Sequence, residues 1–184
     1  MIKRIFALAM ILSITTIIGK AQTEESKNID LVCKSEEINE NEIFEKYNEI
    51  AKLVKEDSEN VPGAAKELER LLKNYPNTIY AGVLQSFLDD LHEALADKEL
   101  RIVMFYLKGE GHEFIIEYRL THILKNYPKY SRFDETLYQL GLLLYKDKRK
   151  QESIKILEKL VGAFPYSFRV SDAYVLLDSL SSLE

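Results

Sequence analysis

Three segments of the chain share one ending. Residues 71–76 read LLKNYP, residues 123–128 read ILKNYP and residues 160–165 read LVGAFP. Proline cannot continue a helix and disfavours helical geometry in the residue before it, so each aromatic–proline pair predicts a helix end. A leucine follows each proline after twelve residues. The chain is therefore predicted to consist of equivalent helical units divided at Pro76, Pro128 and Pro165.

The unit before Pro165 has the fullest repeat pattern. Its pattern residues are Leu137, Leu140, Gly141, Leu144, Ser153 and Leu157. This is the spacing of the tetratricopeptide repeat, in which two antiparallel helices approach closely at small residues and bury leucines between them. We therefore expect an all-α fold, a tetratricopeptide-like right-handed superhelix of antiparallel helix hairpins with a C-terminal capping helix.

The two earlier units match this pattern less completely. Before Pro128, Met104 and Ile116 occupy the two small-residue positions, so we expect these helices to lie farther apart. Before Pro76, Lys52 stands at the glycine position, and this repeat is expected to be degenerate.

The helix boundaries follow from the same offsets. The predicted helices cover residues 42–57, 62–74, 79–108, 112–126, 133–146, 150–163 and 168–183. The last of them carries an apolar stripe, which is expected to cover the open edge of the final repeat. The stripe consists of Val170, Ala173, Tyr174, Leu177 and Leu180.

The N-terminal part of the chain has a different composition. Residues 1–21 combine a basic start, an apolar run and small residues before a predicted cleavage after Ala21, which is typical of a secretory signal peptide. An uncleaved anchor is the alternative. Residues 22–41 are predicted to be an acidic flexible linker, or a segment that meets a positively charged partner, and residues 42–184 to be the repeat domain. We expect an exported, periplasmic protein.

The ionisable residues argue against several functions. A net charge of -5 disfavours nucleic-acid binding. The single cysteine, Cys33, excludes an intramolecular disulfide and thiolate-rich zinc sites, and it is predicted to be an inert thiol rather than a reactive one. His92, His112 and His122 do not stand at helical ligand spacing. We predict no metal, no cofactor and no catalytic residue. The alternative, a helical hydrolase, would need ionisable groups converging in a pocket.

Residues 91–128 resemble the BamD family, repeat-built lipoproteins of the bacterial outer-membrane protein assembly machine. The matching elements are Glu99-Leu100, the aromatic run Phe105-Tyr106-Leu107, the turn at residues 109–111, and Tyr127-Pro128. This resemblance implies binding to a barrel-assembly protein with periplasmic domains, and association with the outer membrane through that partner. The family's lipid-bearing cysteine directly after the signal is missing here. The chain is also similar to CpoB-type periplasmic coordinators of cell division, which is the alternative function.

A candidate partner-binding groove follows from the repeat geometry, because the first helix of each pair lines the concave side. Its predicted residues are Arg101, Phe105, Lys108, Tyr138, Leu142 and Tyr145. Tyrosine and arginine are enriched at binding hot spots. The alternative is that the capping helix or other internal packing buries the tyrosines. The basic run at residues 146–150 is predicted to be a solvated turn, with contact to anionic lipid as the other interpretation.

Overall fold

The computed structural model describes residues 40–182. The predicted signal peptide, Cys33 and nearly all of the predicted linker lie outside the described residues. The helices described below belong to one compact unit that begins at residue 43, except for the first three residues of the first helix.

Seven α-helices and one short 3-10 turn, Ser58–Asn60, make up this part of the chain. The helices are α1 Glu40–Glu56, α2 Val61–Asn74, α3 Ala81–Tyr106, α4 Glu113–Asn126, α5 Phe133–Lys146, α6 Lys150–Ala163 and α7 Val170–Ser181. Every predicted helix is present, with its ends within two residues of the expected ones. No strand occurs between residues 40 and 182, and the all-α class is confirmed.

The three aromatic–proline connections have one geometry. Helices α2, α4 and α6 each end one residue before the aromatic, whose N–H donates to the carbonyl four residues earlier at 2.8–2.9 Å. The residue two positions after each proline then donates its N–H back to the aromatic's carbonyl. These donors are Thr78 at 3.3 Å, Tyr130 at 3.1 Å and Ser167 at 3.0 Å. The prolines lie between helices, as predicted.

The α5–α6 hairpin has the close approach that its small residues predict. A Cβ placed on Gly141 would lie 2.6 Å from Leu157 Cδ2 and 2.8 Å from Cγ of the same side chain. The Ser153 hydroxyl donates to the Gly141 carbonyl across the same contact at 2.8 Å. Leu137 and Leu157 are fully buried on either side of it. The predicted register is therefore confirmed for this repeat.

The α3–α4 hairpin is packed around larger residues. Ile116 is buried at the position where α6 has Ser153, while Met104, at the position of Gly141, is 38% exposed. Leu100 and Leu120 are fully buried, so the apolar positions of the repeat are kept. Leucines and the Arg119–Glu99 ion pair hold this hairpin together without a glycine contact. Its helices contact each other less extensively than α5 and α6 do, in agreement with the looser packing expected for it.

Helix α1 is attached to the stack differently from the other helices. Ile43 and Ile50 are buried, whereas Lys52, at the repeat's glycine position, is exposed. Aromatic rings make two contacts with neighbouring segments, Phe44 with Tyr80 at 5.4 Å between centroids and Tyr47 with Phe87 at 5.8 Å. The first repeat is thus degenerate, as predicted.

Helix α3 spans two neighbours. Its 26 residues extend about 39 Å at ~1.5 Å per residue, nearly twice the length of α2 or α4, and it packs against both. The connection between α4 and α5 also lies against it. Tyr130 donates its hydroxyl to Asp97 at 2.5 Å, and Lys129 Nζ donates to Asp89 Oδ2 at 2.8 Å. Helix α3 therefore joins the first and second repeats.

Helix α7 packs against α6 and α5 and closes the last repeat. Ala173 and Leu180 are buried, and Val170 and Leu177 are half-buried. Tyr174 was predicted to belong to the covering stripe, but it is exposed, and this part of the prediction is wrong. Residue 174 is rotated about 100° around the helix axis from the buried Ala173, which places it at the edge of the covered face.

Candidate partner-binding surface

The six predicted contact residues lie on two consecutive first helices. We call them the first-helix surface: Arg101, Phe105 and Lys108 at the end of α3, with Lys108 just beyond its last residue, and Tyr138, Leu142 and Tyr145 on α5. The two triplets occupy the same offsets before Pro128 and Pro165. Equivalent repeat positions therefore carry a basic and aromatic set on one helix and a tyrosine and leucine set on the next.

The α3 half of this surface is open to solvent. Arg101 and Lys108 are exposed, and 70% of Phe105 is accessible. The Phe105 ring meets the edge of Tyr106 at 5.6 Å between centroids, and Tyr106 in turn lies 4.8 Å from the His112 ring. Phe105 is therefore an exposed apolar ring, with Arg101 four residues before it and Lys108 three residues after it. Such a ring gains hydrophobic free energy when a partner covers it.

The α5 half is partly covered by the start of α7. Tyr138, Leu142 and Tyr145 are all half-buried. The guanidinium of Arg169 lies over the Tyr138 ring, 4.6 Å from its centroid. Burial raises the pKa of the Tyr138 hydroxyl, and the nearby Asp172 carboxylate adds to the rise. One face of Tyr138 is therefore occupied within the chain, as the alternative interpretation expected.

Arg169 is held in this position by a buried carboxylate. Arg169 Nε donates to Glu135 Oε2 at 2.6 Å and Nη2 donates to Oε1 at 3.0 Å, a two-pronged pair. Glu135 is only 3% exposed, and Gln139 also donates to it at 2.7 Å. Hydrogen bonding to Glu135 raises the pKa of Arg169, so the guanidinium stays charged. This pair ties α7 to α5.

Sequence reasoning missed both members of the pair. Arg132 and Arg169 each stand four residues after a proline, and this equivalence was the available signal. The two arginines have different partners, because Lys98 occupies the position in α3 that corresponds to Glu135 in α5. Arg132 instead approaches Asp97 at 4.0 Å with half of its side chain exposed.

The three histidines lie against aromatic rings, and His92 and His122 both contact the Tyr127 ring. His112 contacts Tyr106, and His122 lies 5.7 Å from the Tyr127 ring and 6.3 Å from the Tyr118 ring. His92 Nε2 is 3.3 Å from Glu69 Oε1. Between residues 40 and 182, no group of His, Cys, Asp and Glu side chains is arranged to hold a metal ion.

The basic turn between α5 and α6 contains the one positive backbone φ at a non-glycine residue in the described part of the chain, 61° at Lys148. Arg149, next to it, donates to Glu117 on α4 at 2.6 Å and to Glu152 on α6 at 2.7 and 2.8 Å. These bonds raise the pKa of Arg149 and lower that of Glu152.

Within residues 40–182 no helix is both long and apolar enough to cross a bilayer.

The helix hairpins and their aromatic–proline connections define a tetratricopeptide-repeat protein, and a tetratricopeptide repeat model matches residues 135–167. A second family model, described as an outer membrane lipoprotein and named YfiO, matches residues 41–141, more than half of the chain. The chain belongs to this family, the outer membrane lipoproteins of the BamD type. No curated protein matches the chain.

Proposed function

We propose that the protein is a periplasmic adaptor that binds protein partners in outer-membrane protein assembly, and that the first-helix surface is its main contact. Membership of the outer membrane lipoprotein family supports an envelope location, in agreement with the export signal expected at residues 1–21. The work is done by binding and not by chemistry. The expected partner is a barrel-assembly protein with periplasmic domains, and the chain reaches the outer membrane through it.

The observation that carries this proposal is the exposed Phe105 ring between Arg101 and Lys108. An exposed aromatic at the end of a long helix, with a cation on each side, offers an apolar anchor and two charged contacts at its rim. A partner segment that covers the ring gains hydrophobic free energy, and the two cations favour an acidic rim on that partner. Tyr145 and Leu142 extend the same surface onto α5.

The test compares two triple variants of the full chain, each purified from membranes with its partners identified by mass spectrometry. The first variant is Arg101→Ala/Phe105→Ala/Lys108→Ala. The control, Leu53→Ala/Lys66→Ala/Lys73→Ala, removes two exposed lysines and one exposed apolar residue from α1 and α2. We expect recovery of the barrel-assembly protein to fall at least about tenfold in the first variant, equivalent to ~1.4 kcal/mol, and to persist in the control.

A second variant, Tyr138→Ala/Tyr145→Ala, tests the α5 half. If the partner is recovered undiminished with both the α3 and the α5 variants, at unchanged melting temperature, the first-helix surface is not the partner contact. Recovery of cell-division proteins in place of an assembly protein would favour the CpoB-type role instead.

A further inference from the structure

A second surface lies on the opposite helices of the repeats. Phe114, Tyr118, Thr121 and Lys125 recur on α4 at steps of four, three and four residues, so they share one face of that helix. Phe114 is 82% exposed and Tyr118 is 64% exposed. Neither residue belongs to the first-helix surface, and both are large apolar groups in contact with solvent.

This face forms one wall of a groove between α4 and α6. The groove has a volume of about 520 Å³. Leu124 of α4 and Ile156 of α6 are half-buried at its sides, and Leu140 and Leu144 of α5 lie at its floor. A neighbouring depression at Phe114 and Tyr118 shares three lining residues with it, so the two are continuous. The shared residues are Glu117, Thr121 and Lys125.

The charges of the groove do not balance. Its two carboxylates, Glu117 and Glu152, are both bonded to Arg149. Lys125, Lys155 and Lys159 also line it, and none of the three forms an ion pair with another described residue. Lys159 only approaches the Phe133 ring, with Nζ 5.5 Å from the centroid. Three exposed cations therefore surround an apolar strip.

The surrounding sequence is basic in the same way. Residues 113–163 contain ten Lys and Arg against seven Asp and Glu, whereas residues 40–112 contain nine against fifteen. The excess positive charge lies on the repeat that forms the groove, although the whole chain carries -5. A partner with the opposite charge is thus attracted to this part of an otherwise acidic molecule.

We propose that the groove between α4 and α6 binds an acidic amphipathic segment of a partner protein. The apolar side of that segment covers Leu124 and Ile156, and its carboxylates meet Lys125 on one wall and Lys155 and Lys159 on the other. Lys155 and Lys159 are one helical turn apart, about 6 Å along the axis, which matches carboxylates spaced by four residues in a bound helix. A concave apolar strip flanked by lysines on two helices favours a peptide over a flat lipid surface.

The experiment places a photo-crosslinking amino acid at Thr121 of the full chain in its native host. Thr121 is exposed and lines both parts of the groove. We expect adducts with a protein segment that mass spectrometry locates and that has excess Asp and Glu between apolar residues. Adducts with lipid alone, with a neutral or basic segment, or none at all would overturn the proposal.

Charge variants provide a second test of the proposal. Lys155→Glu/Lys159→Glu should lower the adduct yield roughly threefold to thirtyfold, because two surface ion pairs are lost. If the charge reversal lowers the melting temperature, Lys155→Gln/Lys159→Gln replaces it, and this variant should also lower the adduct yield because it removes both positive charges. Lys66→Glu/Lys73→Glu on α2 is the matched control and should retain the yield. Equal yields in all variants would contradict the proposal.

This surface is independent of the proposed function, and the two can fail separately. The Arg101→Ala/Phe105→Ala/Lys108→Ala variant should retain the Thr121 adduct while it loses the assembly partner. Loss of the adduct in that variant would show that Thr121 reports on the first-helix surface and not on a second site.

Discussion

The second and third repeats end in the same aromatic–proline connection but hold their helices together in different ways. In α5–α6, Gly141 and Ser153 allow side chain to meet backbone, and a Cβ on the glycine would overlap Leu157. In α3–α4 the same positions hold Met104 and Ile116, and Met104 turns toward solvent. The connections also differ: Arg169 enters a buried ion pair, whereas its equivalent Arg132 stays at the surface. The shared pattern thus fixes where helices end, and the small-residue positions decide how closely they pack.

The largest expected effect separates the two arginines. Arg169→Ala leaves the buried Glu135 carboxylate without its charge partner, and we expect about 3–5 kcal/mol loss of unfolding free energy. Arg132→Ala should cost less than about 1 kcal/mol, because its side chain is half-exposed. Urea denaturation of both variants measures the difference. Equal losses would mean that the two connections are energetically the same, and Glu135→Gln/Arg169→Ala should recover part of the loss.

The close helix contact gives the next effect. Gly141→Leu forces a side chain against Leu157 and should cost about 1–3 kcal/mol. Met104→Leu, at the equivalent but partly exposed position, should stay within about 0.5 kcal/mol of the unmodified chain. An unchanged melting temperature for Gly141→Leu would contradict the register.

The buried hydroxyl of the third repeat should contribute less. Ser153→Ala removes the bond to the Gly141 carbonyl without changing the packing volume much, so about 0.5–1.5 kcal/mol is expected. Thermal unfolding measures this directly. Ser179→Ala is a control, because Ser179 bonds to a backbone carbonyl of its own helix in an exposed place and should change little.

The smallest effect concerns acid stability of the connection between α4 and α5. Hydrogen bonding from Lys129 lowers the pKa of Asp89, so this contribution is present above the ordinary aspartate pKa and is lost as pH falls through the lowered one. Asp89→Asn should therefore cost less than about 1 kcal/mol at neutral pH and nothing in strong acid. A difference that grows with acid would contradict this assignment. The α6–α7 connection has Tyr166 at the position of Lys129, so it lacks this pair.

The helix ends and the register of the third repeat could be predicted because they depend on local chemistry. Pro128 and Pro165 stop helices wherever they stand, and Gly141 and Ser153 are informative only at one spacing. The same spacing places Met104 and Ile116 at the two small-residue positions of the second repeat, and their size predicts wider packing there. These features need no knowledge of which distant residues meet.

The remaining features depend on contacts that a single sequence does not show. Glu135 looks like any other charge in the first turn of a helix, and only the path of α7 brings Arg169 over it. The same path covers one face of Tyr138, a residue that the sequence allowed to be either open or covered. The groove between α4 and α6 joins residues about thirty positions apart, and its unpaired lysines were visible only as scattered charges.

The most direct measurement of the central claim is photo-crosslinking from position 105 of the full chain in the intact cell envelope. We expect an adduct between position 105 and a periplasmic domain of a barrel-assembly protein, and no such adduct from position 66 on α2. An adduct with that protein from position 66 alone, or none from position 105 while the chain is folded, would contradict it.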